Sequence, residues 1–296
     1  MMNKFLQRLF AAVAALLSLG SAAEARVPQV ARPALWEVSD PDTTIYLFGT
    51  IHLLPSDTQW RTPKLDQALT NSQELVVETI VDEKNPTKLM SAMASLGLAK
   101  GLPPIIDRVP AAQRPVLEAA IKKSGVPVKA YNSMKTWMAA FLLLSNQFKD
   151  LGLSGGVEGV LRSDFTAHNK PIGELETNLE QLSFFDRLPE SAQRNLLEGA
   201  IENSASMKRE FGGMLGSWSR GDVGGIAATF NHDLSGSPEL KQALLVQRNI
   251  NWSKWIERRM TQPGTVMIAV GAGHLAGKYS VLEMLKKDGY KVRRLQ

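Results

Sequence analysis

The stretch Leu47-Phe48-Gly49-Thr50-Ile51-His52 decides how this chain is read, together with its distant echo Val270-Gly271-Ala272-Gly273-His274. Each is a Gly-x-x-His unit entered from an apolar, β-branched or aromatic run, Thr44-Ile45-Tyr46-Leu47-Phe48 in one case and Val266-Met267-Ile268-Ala269-Val270 in the other. Such runs are strands. A histidine just past a strand end sits where ligands bind in α/β proteins, in the crevice outside the carboxyl ends of the strands. Gly49 and Gly271 let the backbone turn tightly and approach a ligand, so that each imidazole can project inward. Two such units near opposite ends of the chain predict one site assembled by folding.

Around the first unit, Ala34 to Val38 predicts a strand and Asp40-Pro41-Asp42 a turn, which makes Thr44 to Phe48 the returning arm of a hairpin. Asp57 to Thr70 has helical spacing, with Pro63 tolerable near the start. Glu74 to Ile80 is a short buried strand with Glu78 near its exit. The middle is mostly helical: Asn85 to Leu98, Ala111 to Lys123, Ser133 to Phe148 and Glu158 to Asn169, with a short strand over Pro171 to Leu175. Trp137 and Met138 in the third of these helices are core residues rather than a cofactor box. From Leu188 the pattern stays helical through Arg259, broken near Gly221 and over His232 to Pro238. A strand, a helix over Lys278 to Lys287 and a strand over Lys291 to Leu295 close the chain, with Gly289 as the helix stop.

Strands gather at the two ends and helices between them. The fold class is therefore α/β, of mixed α+β character: a mixed central β-sheet built from N- and C-terminal segments and covered by an inserted helical layer over about residues 84–262. Residues 26–296 are expected to form a single domain.

The chain opens with a targeting pattern: Lys4 and Arg8, an apolar core from Leu9 to Leu19, and the small-x-small site Ala23-Glu24-Ala25. Residues 1–25 are read as a signal peptide, which predicts an exported protein, periplasmic or secreted. Its removal takes away two positive charges and one negative, so the formal net charge falls from +5 to +4. That surplus is spread along the chain and argues against nucleic acid as a partner. No other stretch is apolar enough to span a bilayer, and the expected partner is a peptide or small-molecule substrate. With no cysteine in the chain, disulfides, thiolate ligands and a cysteine nucleophile are excluded.

Of the four histidines, His52 and His274 share the glycine-preceded strand exit, while His168 and His232 do not. With Glu78 at another strand exit they form a His-and-carboxylate set suited to Zn, Mn, Fe or Co. The bland alternatives are a structural role for Glu78 as a helix cap or arginine partner, and a solvated or salt-bridged Arg248. Two other matches fail on context. Gly152-Leu153-Ser154-Gly155-Gly156 has the letters of a nucleophile elbow but follows a helix, not a strand. Gly271 to Ala276 has the letters of a dinucleotide fingerprint, but one strand without a ribose-binding acid is all that follows.

Gly49-Thr50-Ile51-His52, Glu78 and Gly271-Ala272-Gly273-His274, in that order, resemble the TraB/PrgY/GumN family, which includes the Tiki metalloproteases. Trp137, Gly156-Val157-Glu158-Gly159-Val160, Lys170-Pro171-Ile172, Leu175-Glu176-Thr177, Gln181 and Arg248-Asn249 carry the likeness across about Ala34 to Leu295. The resemblance implies a fold similar to the erythromycin-esterase and ChaN-like superfamily. It also implies divalent-metal-dependent peptidase activity with Mn, Co or Zn. By position, His52 and His274 would be metal ligands and Glu78 a ligand or general base. Glu158 would be a further ligand, standing where the family pattern has an aspartate. Glu176, Arg248 and Asn249 match family positions and are carried over as candidate catalytic residues. The ChaN-like relationship leaves a second function open, a haem, iron or small-ligand binding protein without turnover, and a third is sequestration of a peptide without cleavage.

Overall fold

A computed structural model describes residues 30–55, 58–81, 85–150, 154–201, 204–234 and 237–296. The signal-peptide segment lies outside the described residues, as does part of the rejected nucleophile-elbow match.

Six strands make one sheet: β1 (Leu35–Ser39), β2 (Thr43–Thr50), β4 (Glu74–Val77), β6 (Ile172–Glu174), β7 (Gly264–Gly271) and β8 (Val292–Arg294), in the order β6-β4-β7-β2-β1-β8. The short pair β3 (Leu53–Leu54) and β5 (Ser154–Gly155) forms a second, antiparallel ladder. The mixed sheet predicted from the clustering of strands is present. The hairpin β1–β2 closes as read, because the Asp40 carboxylate accepts from the backbone N–H groups of Asp42 and Thr43 at 3.2 and 2.8 Å. Sequence pattern does not reveal pairing order. Here β2 and β4 both pair in parallel with β7, and β6 pairs in parallel with β4. Strand β7, from the C-terminal part of the chain, thus enters between two N-terminal ones. Strand β6, from the middle of the chain, forms one edge.

The three central parallel strands, β2, β4 and β7, are apolar on both faces, as strands covered on both sides are. Val76, Ile45, Leu47, Val266, Ile268 and Val270 pack on one face, and Phe48, Leu75, Val77, Met267 and Ala269 on the other. The helices, in chain order, are α1 (Pro63–Asn71), α2 (Thr87–Gly97), α3 (Arg114–Ser124), α4 (Val128–Asn132), α5 (Thr136–Asp150), α6 (Val157–Ala167), α7 (Asn178–Asp186), α8 (Glu190–Ala200), α9 (Ser204–Ser219), α10 (Val223–Leu234), α11 (Pro238–Lys241), α12 (Gln247–Met260) and α13 (Val281–Lys287). Helices α12 and α13 cover the first face through Trp252, Ile256, Leu282 and Leu285. The larger cluster on the second face takes in α1, α6 and the central helical layer. Trp137 is fully buried there, edge-on to Phe141, and its indole N–H donates to Asp186.

Several boundaries differ from the sequence reading for local reasons. The helix expected from Asp57 begins at Pro63, because the Thr62 hydroxyl caps the N–H of Leu65 and proline suits the first turn. The run from Leu188 also breaks after Ala200, and His232 continues α10 rather than starting a loop. Between α11 and α12, residues Gln242–Val246 form a π-turn inside one continuous helical path. That local rephasing immediately precedes Arg248 and Asn249. Among the described residues no helix is long and apolar enough to cross a membrane.

Candidate active site

The register of the parallel strands places the candidate residues. Thr50 lies beside Gly271, Val77 beside Ala269, and Glu174 beside Val77, so β2, β7, β4 and β6 end along one edge of the sheet. His52, His274, Glu78 and Glu176 each follow one of these four ends. Backbone pairing continues past the strands, with the N–H of Glu176 donating to the carbonyl of Glu78 at 2.9 Å. Of the expected set, His52, Glu78, Glu158, Glu176, Arg248, Asn249 and His274 all meet here. His168 is two-thirds exposed against Asp164 elsewhere on the surface, and the His232 side chain lies outside the described ones.

Close approach, rather than unusual dihedrals, explains the motif glycines. Neither Gly49 nor Gly271 has a positive φ. A Cβ on Gly271 would lie 3.1 Å from Glu78 Oε1 and 3.3 Å from His52 Nε2, and one on Gly49 would press on Ala272 at 3.2 Å. Gly156 packs on the backbone of His52 itself, where any side chain would collide with its Cα and carbonyl.

Each imidazole is oriented from behind. His52 Nδ1 lies 2.7 Å from Glu158 Oε1, and the Thr50 hydroxyl also donates to that carboxylate, so His52 Nε2 faces the cavity. Glu158, expected as a ligand, therefore stands on the far side of the ring from the cavity, as an orienting partner. His274 Nδ1 donates to Asn249 Oδ1 at 2.6 Å, and the Asn249 amide N–H is anchored on the Tyr279 carbonyl. The arrangement leaves the His274 Nε2 lone pair facing inward. Asn249, too, acts through a histidine. Glu78 Oε1 sits 3.9 Å from both Nε2 atoms and accepts from the Gly271 N–H at 2.7 Å.

Arg248 closes the set. Its Nε–H donates to both oxygens of Glu176 (3.0 and 2.9 Å), NH2 reaches Glu78 Oε2 at 2.7 Å, and NH1 lies 3.2 Å from His274 Nε2. Trp252, one helical turn after Arg248, donates to Glu176 Oε1 and packs its ring against both Arg248 and His274. The sequence reading missed it, although the four-residue spacing on a helix face marks it as a neighbour. It also missed Trp218, whose indole N–H donates to the Gly49 carbonyl at 2.8 Å. No local signal points to that contact.

Burial by itself would push His52 down, but the adjoining Glu158 carboxylate raises it to about 9. His274 is held at about 3 by burial and by Arg248. For Glu78 burial acts upward, yet Arg248 and the two histidines hold it well below the usual carboxylate range. Glu158 is likewise lowered against its burial by His52 and the Thr50 hydroxyl. Burial and the neighbouring Glu78 charge push Glu176 up in spite of Arg248.

The donor set suits a divalent cation in kind and in charge. Two ligand atoms each ~2.1 Å from one ion lie at most ~4.2 Å apart, and the two 3.9 Å separations from Glu78 Oε1 fall inside that limit. Glu78 and Glu176 share the one guanidinium of Arg248 while Glu158 pairs with the protonated His52, so the three carboxylates outnumber the two cations by one. The set is not drawn into a closed cage: among the described residues no group of three or more His, Asp or Glu side chains has that geometry. The cleft beside it is also lined by the apolar residues Met214, Trp218, Ile226 and Phe230.

A mixed α/β sheet with paired Gly-x-x-His units and a glutamate at the ends of its central parallel strands defines the class of protein. The chain belongs to the TraB/PrgY/gumN family, whose pattern it matches over residues 34–294. It is similar to "Uncharacterized protein YbaP" of Escherichia coli (strain K12) and to the protein of the same description from Shigella flexneri. Identity to each is 26% over 243 residues, covering 81% of this chain and 87% of the relative.

Proposed function

We propose that this chain is an exported hydrolase of amide bonds, of the peptidase type, that works with a divalent ion such as Mn, Co or Zn. The observation that carries the reading is the convergence of His52 Nε2, Glu78 Oε1 and His274 Nε2 at adjacent parallel strand ends, in a buried site with surplus negative charge. Those three atoms would hold the ion. When bound, it would polarise a carbonyl and acidify water enough to ionise near neutral pH.

The chain's own residues prepare the rest. Glu158 and Asn249 fix the two rings from behind, so little reorganisation remains when substrate arrives. Glu78 is held ionised by Arg248, which suits ligation and makes it a poor proton acceptor. Arg248, locked by Glu176 and Trp252, holds the Glu78 carboxylate in place beside the two rings. Purified protein treated with chelator should lose peptide hydrolysis and regain it with Mn, Co or Zn. Protein that takes up none of these ions and cleaves no member of a peptide library would sink the proposal.

One observation favours a second reading. Arg248 NH1 already occupies the inward lone pair of His274, and His52 carries a proton at neutral pH with Nε2 facing the cavity. His52 would then move the proton itself, as acid and base, and hydrolysis would survive the chelator.

A further inference from the structure

Beside the histidines, the cleft is lined by Met214 and Trp218 of α9, Ile226 and Phe230 of α10, and Ala272. Trp218 ties α9 to the end of β2 through the Gly49 carbonyl, so this wall is fastened to the first motif. Phe230 lies against Gly273, in the space that a side chain there would fill, which sets the ring beside His274. Among the described lining residues the charged and titratable groups are His52, Glu78, Arg248 and His274, the set that meets at the strand ends.

Those groups are also engaged with one another. Each nitrogen of the Arg248 guanidinium has an acceptor, and Glu78 and Glu176 more than balance its charge. Both oxygens of Glu78 accept hydrogen bonds, from Gly271 and from Arg248, and Glu158 is taken up by His52 and Thr50. An enzyme that recognises a chain terminus needs a spare cation for the carboxylate or a spare carboxylate for the ammonium. The described part of this cleft offers an apolar wall instead.

Resting on the hydrolase reading, we infer that the substrate is an internal amide flanked by an uncharged apolar side chain, which docks against Met214, Ile226 and Phe230. A charged side chain there would lose its water without gaining a partner. The aromatic wall makes Phe230 a specificity-determining residue: it shapes the space for the flanking group and does not touch the reacting bond.

The test is a series of internally quenched peptides, blocked at both ends, with Leu, Met, Phe, Asp or Lys beside the scissile bond, assayed with Mn, Co or Zn supplied. The Leu, Met and Phe peptides should show kcat/KM at least about a hundredfold above the Asp and Lys peptides, and freeing either end should not raise the rate. Phe230→Leu should move the preference toward larger apolar groups. Equal cleavage of charged and apolar peptides, or a requirement for a free terminus, would overturn this inference and leave the hydrolase reading standing. Calorimetric binding of the same peptides to the ion-free protein reads the preference without turnover. No cleavage of any peptide therefore counts against the hydrolase reading, while equal affinities count against the present one.

Discussion

The two Gly-x-x-His units are alike in sequence and opposite in electrostatics. His52 is backed by a carboxylate and His274 by a neutral amide, and a guanidinium faces the second ring. One imidazole is raised to about 9, the other lowered to about 3. Repeating a motif repeats the position of a side chain at a strand end, but its charge is set by whatever the fold places behind and in front of it. A pair of this kind supplies one protonated and one neutral ring at neutral pH, both aimed at one glutamate.

The largest test of that contrast is Arg248→Met. It leaves Glu78 and Glu176 buried without their cation, and breaking such a network costs about 3–5 kcal/mol. Chemical denaturation should show that loss, and NMR titration should show His274 rising from about 3.

Exchanging the backing groups comes next. Glu158→Gln should bring His52 down from about 9, and Asn249→Asp should bring His274 up from about 3. In the ion-free protein the two rings shape stability in opposite directions. His52 binds its proton more tightly when folded, so its contribution is full below about 6.5 and is lost as pH rises through about 9. His274 stays neutral when folded, so stability falls as pH drops from about 6.5 toward 3. Denaturation curves across pH should therefore show a loss above pH 6.5 that Glu158→Gln removes. Ligation needs a neutral imidazole, so Mn binding at pH 7.5 should release about one proton per ion in the unmodified protein and fewer in Glu158→Gln. Calorimetry in buffers of different ionisation enthalpy measures that number.

Gly156→Ala should cost about 1–3 kcal/mol, the range for an overpacked site, because the new methyl meets His52 backbone and not a yielding side chain. Gly212→Ala, where a Cβ meets nothing, is the control on substitution itself. The smallest effect is expected from His168→Ala. Among the described residues that exposed ring bonds only within its own helix end, and the change in stability should stay within about 0.5 kcal/mol.

Much of the fold was legible because its signals are local. The Asp40 turn, the two-sided apolar runs of β2 and β7 and the helical spacing of the middle all reappear in the structure. Helix ends were less legible, since a cap such as Thr62 is one hydroxyl among many. At the site, His52, His274 and Glu78 stood out by position at strand exits. Glu158, as a ligand, and Glu176, Arg248 and Asn249, as catalytic candidates, were marked only by resemblance to a family. Trp218 and Gly156 act through contacts made across more than 100 residues of chain, and sequence spacing carries no trace of those.

The sequence by itself determined that strands end in glycine-preceded histidines and that the middle of the chain is helical, because strand and helix periodicities are set by neighbouring residues. The tertiary structure alone decided that β7 enters between β2 and β4 and that Arg248 reaches Glu78, Glu176 and His274 together. It also made one imidazole basic and kept the other neutral. Register and burial depend on which distant segments share a face, and the charge of a buried ring depends on the few groups within hydrogen-bonding distance of it.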